Sequence, residues 1–457
     1  MTIDAPADMP LAAPPPSHLL TAPILPTLTR LAIPNIIAML GTAVVSIAET
    51  SYIGRLGIEP LAAIALVFPF AMLTQMMSAG AMGGGVSSAI SRALGAGDRA
   101  SAEVLALHAV IIGLCGGLLF TLLMLVFGRS LYMLLGGRGE VLEQACGYSV
   151  VVFSGAVSIW LVNTLASVLR GAGDMVLPSA TLLVVAVLQV AIGGAFGLGL
   201  FGMPRYGMPG VASGQLVAFS LGALFLLGYM ASGRARLKLR VRSFEFQRRM
   251  FGDILRVGAL ACLAPLQSVL TILIFTKILA TYGTATLAGY GIGSRLEFLL
   301  IPIAFAVGVA SIPMVGMAVG AGQPARARRV AWTAGAVSAL VLGLAGLVLA
   351  VYPALWVSLF TADPAVTAAA HAYFHFAGPS FAFFGLGVTL YFASQGAAKV
   401  GGPVLASTAR LLLVAVGGMA LVMSAAPSWT LFALVTFAMV VYGAGTVLAI
   451  HLTRWGD

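Results

Sequence analysis

About twelve apolar runs, each long enough to cross a bilayer and parted by short charged or glycine-rich breaks, leave this chain few ways to fold. A helix rising about 1.5 Å per residue needs about 20 apolar residues to traverse hydrocarbon about 30 Å thick. Reading between charges, glycines and prolines places spans near 31–54, 61–83, 104–127, 145–169, 177–201 and 209–231, then near 257–281, 286–316, 330–352, 372–395, 404–425 and 429–451. With 60% of residues hydrophobic and 8% charged, the chain has too little polar surface for a water-soluble domain. The runs do not alternate between polar and apolar residues, which excludes a transmembrane barrel. The expected class is an all-α polytopic membrane protein.

The two halves repeat each other. A shift of 225 matches Gly95, Ala96, Gly97 and Ala100 with Gly320, Ala321, Gly322 and Ala325, and Gly171, Ala172 and Pro178 with Gly396, Ala397 and Pro403. A shift of 226 pairs Arg30, Gly57, Leu61 and Ala62 with Arg256, Gly283, Leu287 and Ala288. Six spans return the chain to its starting side. The duplication therefore predicts two six-helix lobes related by a pseudo-two-fold axis along the membrane normal, with a cleft between them. The organisation read from this is a tail 1–29, a lobe 30–231, a basic connector 232–256, a second lobe 257–452 and a tail 453–457. The proline-rich first segment lacks the basic start and unbroken apolar core of a signal peptide and reads as a disordered tail.

Topology accounts for the net charge of +10. With both termini cytoplasmic, the inner side collects 18 basic residues, among them Arg92, the connector's Arg234, Arg236, Lys238, Arg240 and Arg242, and Arg410. The outer side has 4: Arg55, Arg129, Arg138 and Arg205. Such a bias orients a protein in the plasma (inner) membrane. No basic stretch carries the interleaved aromatics of a nucleic-acid surface. Cys115, Cys146 and Cys262 are too scattered for a zinc site or disulfide framework, and His371 and His375 share a face without further ligands. No metal or cofactor is called for, and the short loops lack the convergent side chains of an enzyme. The glycine pairs have no Lys-Ser/Thr ending of a phosphate-binding loop, so they read as tight turns and close helix approaches.

Ionisable groups inside spans are functional candidates by default. Glu49 lies about 5 residues, roughly 8 Å, from the outer end of the first span. A carboxylate there must be protonated, paired or hydrated, and one that is alternately dry and wetted can take up and release a proton. Glu297 lies in the eighth span with Arg295 two positions before it, on a different face. Lys277 of the seventh span is a candidate partner for Glu297, and an interhelical ion pair weighs as much as a cation-binding wall. Pro34, Pro69, Pro302 and Pro313 fall inside spans, where they bend helices that gate or merely pack.

The stretches AETSYIGRLGIEPLAAIAL, SRALGAGDRASAE, LASVLRGAGDMVLP and GVASGQLVA, with YGTATLAGYGIGSRLE and MVGMAVGAGQPARARR in the second half, resemble the multidrug and toxic compound extrusion family over nearly all of residues 30–452. That resemblance implies an exporter of organic cations or amphiphiles, driven by inward protons or sodium and working as a monomer in the lipid bilayer. It implies that Glu49 stands where the family has a cation-binding aspartate. Tyr148 matches a family tyrosine, while Gln189 and Gln215 replace an asparagine and a threonine. A second family aspartate aligns with Gly193. One carboxylate with two amides suits a proton better than sodium, though glutamine carbonyls are also sodium ligands. Glu297, Arg295 and Lys277 form the second-choice coupling or solute site. An alternative within related folds is a lipid or lipid-linked precursor flippase, for which Arg295 and Lys277 would line a cationic portal.

Overall fold

The computed structural model describes residues 18–239 and 246–455. Arg240 and Arg242, counted above with the connector, lie outside the described residues, as does most of the 1–29 tail. After a short helix, His18–Thr21, the spans are α1 (Ile24–Gly54), α2 (Ile58–Gly95), α3 (Arg99–Leu134), α4 (Gly139–Gly171, in two pieces), α5 (Val176–Leu198) and α6 (Met208–Ala231). The second half gives α7 (Arg248–Ala280), α8 (Thr284–Gly320), α9 (Pro324–Val351), α10 (Pro364–Gly396), α11 (Gly401–Met423) and α12 (Trp429–Leu452). Eleven are long and apolar enough to cross a membrane singly, and the two pieces of α4, bent by 41° at Gly155, make a twelfth. No strand occurs among the described residues. Leu118, Leu119, Leu122 and Val126 of α3, like Ile33, Ile37, Val44 and Ile47 of α1, point outward, a surface suited to lipid and not to water.

The glycine motifs turn out to be helix ends. At Gly97 (φ +79°), the amide of Asp98 bonds Ala93 O and that of Gly97 bonds Leu94 O, a Schellman turn that only a left-handed residue closes without strain. Gly173, Gly322 and Ala398 close three further copies, with the same bonds from Asp174 to Leu169 O, Gln323 to Ala318 O and Lys399 to Ser394 O. Asp98 then caps α3: Ser101 donates its hydroxyl and its amide to this carboxylate, which holds Asp98 below the usual carboxylate range. Asp174 and Asp363 cap α5 and α10 in the same way. Ala398 carries a Cβ at φ +57° where its three counterparts are glycine. Ala398→Gly is therefore expected to stabilise the protein by about 1 kcal/mol, read as a rise in the thermal midpoint in detergent; an unchanged or lower midpoint would contradict the strain.

Close approaches repeat between the halves as well. A Cβ on Gly171 would lie 2.9 Å from Ser87 O, and a Cβ on the repeat-equivalent Gly396 would lie 2.7 Å from Ile312 O. Within the first lobe, α5 and α6 meet through glycines: a Cβ on Gly214 would come within 2.4 Å of Gln189 O, and one on Gly210 within 2.2 Å of Phe196 O. The prolines do sit inside α1, α2 and α8, yet the discontinuities lie elsewhere. These are a π-helical segment at Met76–Met82 in α2, the Gly155 bend in α4, a break at Cys262 in α7 and a 3-10 turn at Gly378–Ser380 in α10, the last of which does contain a proline, Pro379.

The two ends of the described residues share one face, where Leu19 and Trp455 pack in a cluster with Ala327 of α9, and Arg326 donates three bonds to Leu19 O and Ala22 O. On this terminal face the lobes are closed on each other. One cluster unites Val86 and Ile90 of α2 with Ile254 and Val257 of α7, Ile312 of α8 and Tyr391 of α10. Two other clusters each hold residues of a single lobe, around Tyr132 and Tyr148 in the first and around Phe374 and Phe432 in the second.

Candidate functional site

Glu49 sits on the last turns of α1, and its carboxylate faces its own lobe. Gln189 of α5 donates Nε2 to Glu49 Oε1 at 2.8 Å. The two helices are held there because Tyr52, one turn beyond Glu49, lies against Gly194, where a Cβ would sit 3.0 Å from the ring. Tyr148 of α4 is buried at 4% exposure, in the apolar cluster that also takes in Tyr52 and Ile53 just beyond Glu49 on α1. Gln215 is half-buried on α6, next in sequence to the Gly214 that touches the Gln189 backbone, but its side chain makes no hydrogen bond among the described residues. Gly193 is packed so that a Cβ would lie 3.1 Å from Val211 O. The structure thus gathers Glu49, Gln189 and Tyr148 and leaves Gln215 at their margin.

In the second lobe the grouping differs from the sequence reading. Glu297 lines a cavity of about 150 Å³, walled by Tyr290, Phe384, Tyr391 and Tyr442, and by Met72 and Met76 of the opposite lobe. Tyr373 of α10 donates its hydroxyl to Glu297 Oε1. Arg295 is exposed, with its guanidinium over the Phe360 ring at 5.0 Å, and Lys277 is also exposed. Neither lines the cavity, and neither is among the ion pairs of the described residues, so Lys277 is not the partner of Glu297. The cation that shares the cavity is Arg410 of α11. Counting charges between spans had placed it with the terminal-side arginines; it lies instead nine residues into its helix and is 9% exposed.

A polar knot also escaped the sequence reading. Asn163 of α4 donates Nδ2 to Gln75 Oε1 at 2.9 Å and to Ser78 Oγ at 2.8 Å, bracketing the start of the π-helical segment within α2. Local widening of a helix by one residue recurs at functional positions. No residue type announces it.

The terminal side of the cavity is sealed by contacts between lobes. Ser88 donates its hydroxyl to Gln395 O, Arg92 Nη2 meets Asp253 Oδ2 at 2.6 Å, and Gly80 lies against the Phe305 ring. A Cβ on Gly95 would lie 2.2 Å from Met317 O, and one on Gly320 would lie 2.0 Å from Arg92 O. These two contacts are the same contact made twice, because Gly95 and Gly320, and Arg92 and Met317, are equivalent under the 225-residue repeat.

The MatE family model matches this chain twice, over residues 34–193 and 261–420, at an offset close to the internal repeat. The chain belongs to the MatE family. It is a transporter, with efflux as the family's activity, and not an enzyme. An FAD transporter of Shewanella oneidensis is 27% identical over 349 residues, covering 76% of this MatE protein and 77% of the relative. A probable multidrug resistance protein, NorM, of Thermotoga maritima is 26% identical over 344 residues, covering 74% and 73%. A MOP superfamily transporter from Pyrococcus furiosus shares the fold at a TM-score of 0.87 and 23% identity, over 96% of this chain and 97% of that one.

Proposed function

We propose that this MatE protein exports amphiphilic organic molecules, organic cations among them, across the plasma membrane in exchange for external protons, by alternating access of the cleft between its lobes. The observation that carries this reading is the division of labour in the structure: a carboxylate, Glu49, hydrogen-bonded inside the first lobe, and an aromatic cavity against the second, closed toward the terminal face. The basic residues of the connector and the helix ends make that closed face cytoplasmic. The conformation is then the outward-facing one, the state in which solute leaves and protons enter. A ligand changes such an equilibrium only through different affinities for its two states, and protonation of Glu49 supplies that difference by altering its bond to Gln189 and the packing of α1 on α5. Coupling to protons, and not to sodium, fits a site where the amide N–H is directed at the carboxylate and no second carboxylate is hydrogen-bonded to Glu49 or Gln189 among the described residues. Relatives named for multidrug and FAD transport support an organic solute.

The flippase reading loses its motivation, because Arg295 and Lys277 do not line the cavity. Proteoliposomes loaded with a fluorescent amphiphile test the proposal. An imposed pH gradient is expected to drive transport with sodium absent, and a sodium gradient at equal pH is expected to drive none; the reverse pattern would replace the proton by sodium.

A further inference from the structure

The second-lobe cavity holds an arginine whose chemistry the export reading does not use. Arg410 is buried, yet its Nε has no hydrogen-bond partner, and its Nη2 makes a single long bond to Ser268 Oγ at 3.3 Å. The guanidinium lies over Tyr442 at 5.2 Å and over Phe384 at 5.8 Å. Both rings and Ser268 line the same cavity. Glu297 lines the same cavity and offsets the charge of Arg410 at a distance, but Arg410 is in none of the ion pairs among the described residues, and the one side-chain hydrogen bond of Glu297 there is accepted from the Tyr373 hydroxyl.

An arginine with a purely structural task in this chain looks different. Arg326 directs three bonds of 2.6–3.2 Å at backbone carbonyls, and Arg92 meets Asp253 at 2.6 Å. A guanidinium carries five N–H donors in a planar fork suited to two oxygens of one anionic group. Burying it with most donors unmet is unfavourable unless something else completes them. Aromatic faces steady the charge but accept no N–H bond in the plane of the fork. The walls around it are aromatic and methionine-rich, which fits a flat apolar body and leaves the fork as the polar anchor.

We infer that the Arg410 cavity is a receptor for an oxyanion on an aromatic body, an organic carboxylate or phosphate monoester, so that the solutes of this exporter include aromatic anions and zwitterions. This rests on the export reading for its consequence but not for its test, which is equilibrium binding. Four probes sharing one ring system are titrated against the full chain in lipid nanodiscs: naphthoate, naphthyl phosphate, neutral naphthamide and naphthylmethylammonium. At least one anion is expected to bind about tenfold or more tightly than naphthamide, as a bidentate charge-assisted pair does over a neutral one. The stronger of the two anions identifies the group.

Arg410→Gln is expected to erase that preference while leaving naphthamide affinity within about twofold, and Arg410→Lys, a point charge without the fork, to retain only part of it. Equal binding of anions and naphthamide, tighter binding of the ammonium probe, or an anion preference that survives in Arg410→Gln would each overturn the inference. The wild-type probe ratio decides the matter even if neither variant folds. If the anion preference holds while a pH gradient drives no transport, the coupling reading fails and this site stands; if a pH gradient drives transport and the preference is missing, the site fails and the coupling reading stands.

Discussion

Glu49→Gln is expected to reduce gradient-driven efflux to the level of passive leak, a loss of a hundredfold or so set by the background of the assay, while solute binding at the second-lobe cavity persists. The substitution keeps the shape of the side chain and leaves a partner for Gln189 Nε2, which now donates to Glu49 Oε1 at 2.8 Å. It removes only the ability to exchange a proton. Binding energy can be converted into net transport only when the two conformations differ in affinity for the driving ion, so a site that no longer titrates leaves counterflow of solute intact and abolishes concentrative movement. Counterflow and pH-driven efflux measured in the same proteoliposomes separate the two. Unchanged pH-driven efflux in Glu49→Gln would remove this carboxylate from the mechanism. Glu49→Asp, which retracts the carboxyl by one methylene, is expected to retain partial activity.

The second large effect concerns closure on the terminal face. Gly320→Leu puts a branched side chain where a Cβ alone would lie 2.0 Å from the Arg92 carbonyl oxygen, and a backbone atom cannot rotate away as a side-chain tip can. Overpacking of this kind costs about 1–3 kcal/mol, enough to shift the balance between closed and open terminal faces by tenfold to a hundredfold. Transport is expected to fall in proportion, with the protein still folded. The readout is a Ser91→Cys reporter in a background lacking Cys115, Cys146 and Cys262. Ser91 is fully buried at the seam, so the reporter is expected to be nearly inert to a membrane-impermeant maleimide, and at least tenfold more reactive once Gly320→Leu is added. Equal labelling in both, with transport preserved, would mean that the lobes do not part along this line.

The number and order of helices were legible because the apolar runs carry that information locally and lipid leaves few alternatives. Helix ends were less so. α7 begins at Arg248, nine residues before the span read from the sequence, because its first turns are amphipathic: Ile254, Val257 and Ala261 are buried while Arg249 and Arg256 ride the other face. Those charges looked like connector. The discontinuities at Met76–Met82 and Gly155 were invisible for a different reason, since no proline lies within either of them to mark it. In the first lobe, Glu49 was singled out as an ionisable group inside a span and Gln189 by the family resemblance, and the two meet. In the second, pairing by proximity along the chain favoured Lys277 and Arg295, whereas Glu297 shares its cavity with Arg410 of a helix more than 100 residues away. Arg410 lay six residues inside the span read as 404–425, and an arginine at such a depth was signal enough to remove it from the tally of orienting charges.

The doubled contact of Gly95 with Met317 and Gly320 with Arg92 bears on how such a chain came to exist. A free-standing six-helix unit with this surface could have mated with its own twin, each glycine seating on the other's carbonyl. Joining two copies end to end released them from identity. One position could then keep an arginine that reaches Asp253 while its counterpart became Met317, and one lobe could specialise in the ion while the other specialised in the cargo.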